Sequence, residues 1–179
     1  MGTKKINDVY VTLQSTINSD GLWYPSISIF YSGCDKLKKC PDCHNPELQK
    51  RGVGYKTNNK QLIKDIELIL DRWLVIYPKM ALCYLGGEPL AVWNRLSLYV
   101  VSKYFKIKYN DRVCNILYSW RYLEDIKCVN KYTTYMDYGV LGDFQKEKKD
   151  LNYIPSSTNQ YIYDFKNSKK INSIRKGNQ

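Results

Sequence analysis

The chain has 179 residues, 44% of them hydrophobic, so its length and composition favour one globular domain and exclude a disordered protein. The formal net charge is +11, but five of the basic residues follow the last acidic residue, Asp164. We therefore interpret the excess charge as solvated surface and expect no nucleic-acid partner. The pattern predicts one domain at residues 1–165, followed by a basic, flexible C-terminal tail at residues 166–179.

The N-terminal residues show no targeting signal. Residues 1–14 contain no apolar stretch followed by a small-residue cleavage site. No segment approaches the roughly 18 consecutive apolar residues that a membrane helix requires. We expect a cytoplasmic protein without membrane association, in which thiols stay reduced. Six Cys in that compartment favour metal or redox chemistry over disulfides.

The predicted elements alternate between strands and helices along the chain. The longest helix begins at Asn59 and ends before Pro78, because its apolar residues recur at a spacing of three or four. The full predicted order is strand Val9–Leu13, strand Ile27–Gly33, helix Asn59–Tyr77, strand Met80–Leu85, helix Pro89–Phe105, strand Val113–Ser119, helix Tyr122–Val129 and strand Thr133–Leu141.

This alternation predicts an α/β fold with a mostly parallel sheet. The units are too few for a complete eight-fold barrel of about 250 residues, so we expect a partial (β/α) barrel or an open sheet. In both architectures ligands gather at the carboxyl ends of the strands. Cys34 follows one such end, and Gly86-Gly87-Glu88 follows another.

Three cysteines, Cys34, Cys40 and Cys43, lie within ten residues of one predicted loop. A short loop can turn three thiolates towards one soft metal centre. An ordinary [4Fe–4S] cluster takes four Cys, so three would leave one iron open to a substrate or cofactor. The neighbouring lysines favour the deprotonated thiolates.

Two other interpretations of these cysteines remain open. A zinc site on Cys34, Cys40, Cys43 and His44 has the right number of ligands, but adjacent Cys43 and His44 are poorly placed to reach one tetrahedral ion. Inert core cysteines are disfavoured, because the loop is polar and rich in lysine. The remaining cysteines, Cys83, Cys114 and Cys128, are predicted to be small buried hydrophobes without a role.

Several motifs together give the chain a family resemblance over residues 10–162. The segments Cys34…Cys40-Pro-Asp-Cys43-His-Asn-Pro-Glu-Leu and Leu85-Gly-Gly-Glu-Pro-Leu90 resemble the radical S-adenosylmethionine superfamily. Within it, the chain is most similar to the activating proteins of anaerobic ribonucleotide reductases. Further similar stretches are Ser19-Asp20-Gly21, Leu117-Tyr118-Ser119 and Ser157-Thr158-Asn159-Gln160. The chain differs from that family in the gap between Cys34 and Cys40, which has five residues instead of three, and at Asp42, a position that is often aromatic.

The resemblance implies a fold of the radical S-adenosylmethionine type and a cofactor site. It implies a [4Fe–4S] cluster on Cys34, Cys40 and Cys43, with S-adenosylmethionine bound near Gly86, Gly87, Glu88 and Ser119. Glycine carbonyls and a carboxylate suit the ammonium group of that cofactor. His44 is expected to lie beside the cluster without binding iron. No catalytic residue beyond the cluster is implied.

The resemblance also implies a reaction and two protein partners. Reductive cleavage of S-adenosylmethionine yields a 5′-deoxyadenosyl radical, which generates a glycyl radical on anaerobic ribonucleoside-triphosphate reductase. The electron comes from a flavodoxin or ferredoxin-type donor. Two alternative functions remain: a radical enzyme that acts on a small molecule, similar to 7-carboxy-7-deazaguanine synthase, and a zinc-containing nucleic-acid-binding module.

Overall fold

A computed structural model describes residues 8–175 as a mixed α/β fold with ten strands and three α-helices. The strands are β1 (Val9–Asn18), β2 (Ser26–Tyr31), β3 (Tyr55–Thr57), β4 (Met80–Gly86), β5 (Val113–Ser119), β6 (Tyr138–Leu141), β7 (Tyr153–Ile154), β8 (Tyr161–Asp164), β9 (Lys169–Ile171) and β10 (Ile174–Arg175). The helices are α1 (Asn59–Trp73), α2 (Arg95–Tyr109) and α3 (Leu123–Lys127).

Eight of the strands form one sheet in the order β3-β1-β2-β4-β5-β6-β8-β9. The central strands β2, β4, β5 and β6 are parallel, and α1, α2 and α3 connect them in turn. Two antiparallel strands extend each edge of this parallel centre. The sheet is therefore mixed, and the predicted parallel arrangement holds for its centre only. The partial barrel stays a prediction.

Helix α1 follows directly from its sequence. The Asn58 side chain caps it by accepting a hydrogen bond from the backbone N–H of Gln61 at 3.1 Å. Its buried face carries Leu62, Ile66 and Leu70, as the apolar spacing predicts. The helix ends at Trp73 and is followed by a turn, so the predicted end at Tyr77 is four residues too late. None of the helices within residues 8–175 is both long and apolar enough to cross a membrane.

Hydrophobic residues pack on both faces of the sheet, in two clusters. Cys83 and Cys114 belong to the smaller cluster, on the face opposite α1 and α2, which confirms that they are buried hydrophobes. The same prediction is wrong for Cys128, which is exposed. Cys128 caps the end of α3, a helix of only five residues that buries Ile126 alone.

Residues 166–175 differ from the flexible tail predicted from residue 166. Strand β9 pairs with β8, and β10 pairs with β7. The reason is that Ile171 and Ile174, set among basic residues, pack against the smaller cluster. Lys176, the last basic residue of the predicted tail, lies outside the described residues.

Deleting residues 167–179 should therefore lower the free energy of unfolding. Loss of the Ile171 and Ile174 contacts and of two strand pairings should cost about 2–4 kcal/mol. The urea midpoint of the metal-free chain measures this loss. Deletion of residues 176–179 alone is the control that separates the contribution of those four residues from that of β9 and β10. Equal midpoints for both deletions would contradict a structural role for β9 and β10.

Candidate iron–sulfur site

The three predicted ligand cysteines lie on a loop that leaves β2 and is closed at its base. The backbone N–H of Gly33 donates to the carbonyl of Leu48 at 2.8 Å, and the N–H of Cys34 donates to Gln49 at 3.1 Å. Cys34, Cys40 and Cys43 are free thiols of intermediate burial. We call residues 34–48 the cysteine loop. Its two ends are fixed to each other, which holds the three thiols at one end of the sheet.

A cavity of about 360 Å³ opens at the carboxyl ends of the parallel strands. It is lined by Cys34, Cys40, Cys43, Gly86, Gly87 and Ser119, which sequence analysis had assigned to the cluster and the cofactor. Phe30, Leu85, Tyr118 and Val140, from four neighbouring strands, form an apolar wall of the same cavity. Glu88 is not among the lining residues.

The chemistry of the donor atoms at this cavity suits an iron–sulfur cluster. Three free thiols line it, and thiolates are the usual ligands of a [4Fe–4S] cluster. Within residues 8–175, no three His, Cys, Asp or Glu side chains are grouped so that they could hold one metal ion. A zinc site on Cys34, Cys40, Cys43 and His44 stays an alternative.

Lysines surround the thiols. Lys36 Nζ donates to Cys40 Sγ at 3.2 Å, and Lys39 Nζ donates to the carbonyl of Cys34. Burial raises the pKa of the Cys34 thiol above its usual value, so this thiol stays protonated until a metal displaces the proton. His44 is exposed and also lines the cavity, and its ring lies 4.6 Å from the ring of Phe144.

The Gly86-Gly87 turn after β4 packs directly on the base of the cysteine loop. The backbone N–H of Gly87 donates to Tyr31 at 2.8 Å, and the N–H of Glu88 donates to Gly33 at 3.0 Å. A Cβ atom on Gly87 would stand 2.4 Å from the carbonyl oxygen of Leu48. Only glycine allows the two segments to approach so closely.

The Glu88 carboxylate is fully buried and already has internal partners. It accepts hydrogen bonds from the Ser119 hydroxyl at 2.9 Å, from the N–H of Leu90 at 2.9 Å and from the N–H of Trp120 at 3.2 Å. Arg121 Nη1 lies 3.0 Å from it, in an ion pair that is not aligned as a hydrogen bond. The carboxylate therefore ties the glycine turn to the end of β5. Direct binding of a cofactor by Glu88 and Ser119 stays a prediction.

Burial shifts the protonation of this carboxyl. The desolvation of Glu88 raises its pKa from 4.5 to about 7, against the opposing effects of Arg121 and the hydrogen bonds. The folded state thus binds a proton that the unfolded state has already lost. Stability from this group is present at low pH and is lost as the pH rises through about 7.

Replacing Glu88 with Gln should remove this pH dependence. Relative to the Glu88→Gln variant, the wild-type chain should lose about 2 kcal/mol of unfolding free energy between about pH 5.5 and about pH 8.5. Urea titrations of both metal-free proteins across this range give the difference directly. A constant difference over the range would show that Glu88 does not titrate there.

Sequence analysis missed a second set of contacts, which fixes the cysteine loop from outside. Asp35 pairs with Arg121 at 2.6 Å, and Lys36 pairs with Asp143 at 2.8 Å. The Trp120 indole N–H also points to Asp35, at 3.4 Å. The partners are separated by more than 80 residues in the chain, so no local pattern indicates them.

The Asn-Gln stretch near the C-terminus binds the segment that carries Asp143, the partner of Lys36. Asn159 donates to the carbonyl of Asp143 at 2.8 Å, and Gln160 donates to the carbonyl of Gly142 at 2.7 Å. Gln160 also lines the cavity. The resemblance had singled out this stretch without assigning it a contact.

Comparison with known proteins identifies one matching family. A family model described as a 4Fe-4S single cluster domain matches residues 18–163, which are 146 of the 179 residues. The matched range contains the cysteine loop, the glycine turn and all four central strands. None of the curated proteins compared matches the chain.

Proposed function

The chain belongs to the 4Fe-4S single cluster domain family, and on that premise we propose that it is a radical S-adenosylmethionine activase. It would generate a glycyl radical on anaerobic ribonucleoside-triphosphate reductase, through the 5′-deoxyadenosyl radical. The observation that carries the proposal is the single cavity shared by Cys34, Cys40 and Cys43 with Gly86 and Gly87.

Three protein ligands leave room for the cofactor. Cys34, Cys40 and Cys43 would hold the [4Fe–4S] cluster, with one iron free for the amino and carboxylate groups of S-adenosylmethionine. When bound and reduced, the cluster supplies the electron that splits the sulfonium bond. Lys36 contacts the sulfur of Cys40 and Lys39 contacts the carbonyl of Cys34, so two positive charges would lie beside the negatively charged cluster.

The other cavity residues would bind and enclose the cofactor. The carbonyls of Gly86 and Gly87 are acceptors for its ammonium group. Ser119 lines the cavity while its hydroxyl is fixed by Glu88, so Glu88 acts on the cofactor through the end of β5. The apolar wall formed by Phe30, Leu85 and their neighbours excludes water from a reactive radical.

The proposal is tested by two successive measurements. The iron-loaded chain, reduced with dithionite and given S-adenosylmethionine, should release 5′-deoxyadenosine and methionine. With the cognate anaerobic reductase present, electron paramagnetic resonance should show a persistent doublet, the signal of a glycyl radical, on the reductase. The electron donor in the cell would be a flavodoxin or ferredoxin-type protein.

The two measurements test cleavage of S-adenosylmethionine and activation of the reductase separately. Deoxyadenosine without a doublet would leave radical cleavage in place and overturn the activase assignment, in favour of a small-molecule substrate. A fully loaded cluster that yields no deoxyadenosine would overturn both. Zinc in place of iron, in protein purified without oxygen, would instead favour the nucleic-acid-binding alternative.

A further inference from the structure

The tip of the cysteine loop carries an apolar side chain that is completely exposed. Leu37 is 102% exposed, the highest value among the exposed large hydrophobic residues of the described chain. It lies in the middle of the five-residue gap between Cys34 and Cys40. Cys34, Lys39 and Cys40 line the cavity, whereas Leu37 and Lys38 do not. Leu37 therefore faces away from the cavity while lying only three residues from each of two thiols.

The tip is also positively charged. Asp35 and Lys36 are neutralised by Arg121 and Asp143. Within residues 8–175, neither Lys38 nor Lys39 pairs with a carboxylate. Lys39 Nζ contacts the carbonyl of Cys34 instead. We call Leu37, Lys38 and Lys39 the loop tip: one apolar side chain followed by two uncompensated positive charges.

The loop tip is held in place by its surroundings. The base of the loop is closed by two backbone hydrogen bonds, and the ion pairs of Asp35 and Lys36 fix the residues just before Leu37. An exposed leucine gains free energy only when a partner covers it. A leucine that lies three residues from each of two thiols, on an anchored loop, is suited to be the centre of a small interface.

We propose that the loop tip is the docking site for an acidic one-electron donor protein of the flavodoxin type, an inference that rests on the proposed function. Leu37 would be the buried anchor, and Lys38 and Lys39 would attract the negative surface of the donor. The donor is oxidised by one electron and the cluster is reduced by one. Electron-transfer complexes bury little surface and are transient, so a small patch can form the centre of one.

The position of the tip favours the electron donor over the reductase. A reductase must bring its glycine to the cavity, where the radical forms. A donor needs only to come close to the thiols, and on the outer side of the loop it leaves the cavity open. A donor bound at the loop tip would leave the cavity open, because Leu37 and Lys38 are not among the residues that line it.

Binding of a purified, oxidised flavodoxin to the iron-loaded full chain tests the proposal. The variant Leu37→Asp/Lys38→Glu removes the anchor and reverses the charge, while Lys39, which contacts Cys34, is kept. Its Kd, measured by calorimetry at low salt, should be weaker by at least about tenfold, and the salt dependence seen with the wild type should be reduced. Leu37→Met should bind like the wild type.

The matched control carries the same change of charge at the other end of the sheet. Val75→Asp/Lys127→Glu alters an 86% exposed apolar residue and an exposed lysine, on segments that lead to the amino ends of β4 and β6. This control should bind flavodoxin with the wild-type Kd. If both double variants bound flavodoxin with an equally weakened Kd, the weakening would be explained by net charge alone, and the proposal would be overturned.

The remaining outcomes are also decisive. Unchanged flavodoxin binding by the Leu37→Asp/Lys38→Glu variant, or no flavodoxin binding by the wild type, would overturn the docking site. Loss of reductase binding with normal flavodoxin binding would assign the tip to the reductase instead. Dithionite bypasses the donor, so cleavage driven by dithionite should be equal in wild type and variant. If the wild type itself fails to cleave S-adenosylmethionine with dithionite, the proposed function fails separately.

Discussion

Replacing Cys34, Cys40 or Cys43 singly with Ala is expected to abolish stable cluster assembly. Iron should fall from about four per chain to below about one, because two thiolates do not hold a cluster that is built for three. The three thiols line one cavity, and no other cysteine lines it. Iron and sulfide assays on anaerobically reconstituted protein, together with the charge-transfer absorption, measure the loss.

The other three cysteines supply the controls. Cys128→Ser changes an exposed thiol and should leave both iron content and stability unchanged. Cys83→Ala and Cys114→Ala should keep the iron but cost about 1 kcal/mol each, because both side chains are buried in the sheet. Normal iron content in the Cys40→Ala variant, or its loss in Cys83→Ala, would contradict the assignment of the ligands.

Strands β4 and β5 were predictable because their sequence is mostly apolar and each strand ends where a polar or glycine-containing turn begins. Strand β5 has the predicted bounds, and β4 extends the prediction by one residue, Gly86. The strand predicted at Thr133–Leu141 is wrong in its first half. Only Tyr138–Leu141 pairs with β5, because the residues before it form turns.

The second helix shows why apolar spacing alone misplaces a helix start. The segment after Pro89 has a helical pattern, yet α2 begins at Arg95. The N–H of Leu90 binds the Glu88 carboxylate, and the Asn94 side chain binds the carbonyls of Ser32 and Glu88. These hydrogen bonds fix the segment after the glycine turn in a non-helical conformation. They depend on tertiary contacts, which the local sequence does not indicate.

The candidate site was predictable in the part that depends on topology. Cys34 and the glycine turn follow neighbouring parallel strands, so their convergence at one cavity follows from the rule for strand ends. The partners of Glu88 were not predictable. The charge of a buried carboxylate must be balanced by a cation or by hydrogen bonds. The sequence does not indicate that Arg121 is the cation paired with Glu88, or that the same guanidinium also pairs with Asp35.

Arg121 links the cysteine loop, the glycine turn and the end of β5, so its loss should destabilise the fold strongly. Its guanidinium contacts Glu88 at 3.0 Å and Asp35 at 2.6 Å, with the Trp120 ring 4.6 Å below. It joins the residue next to Cys34 with the residue next to the glycine turn. Without it, a carboxylate that is 0% exposed has no cation among its contacts within residues 8–175.

Arg121→Met should therefore lower the free energy of unfolding by about 3–5 kcal/mol at about pH 8.5, where the Glu88 carboxyl of the wild type is ionised; this is the cost of breaking a buried pair by removing one partner. Arg121→Met/Glu88→Gln should recover at least about 1 kcal/mol of that loss, because the uncompensated charge is gone. Urea unfolding of the two single variants and the double variant gives the coupling energy. Additive effects would show that Arg121 and Glu88 act independently.

Iron should also leave the Arg121→Met variant faster than it leaves the wild type when a chelator is added, because Asp35 no longer holds the cysteine loop. An unchanged release rate would show that the closed base of the loop is sufficient to hold the three thiols.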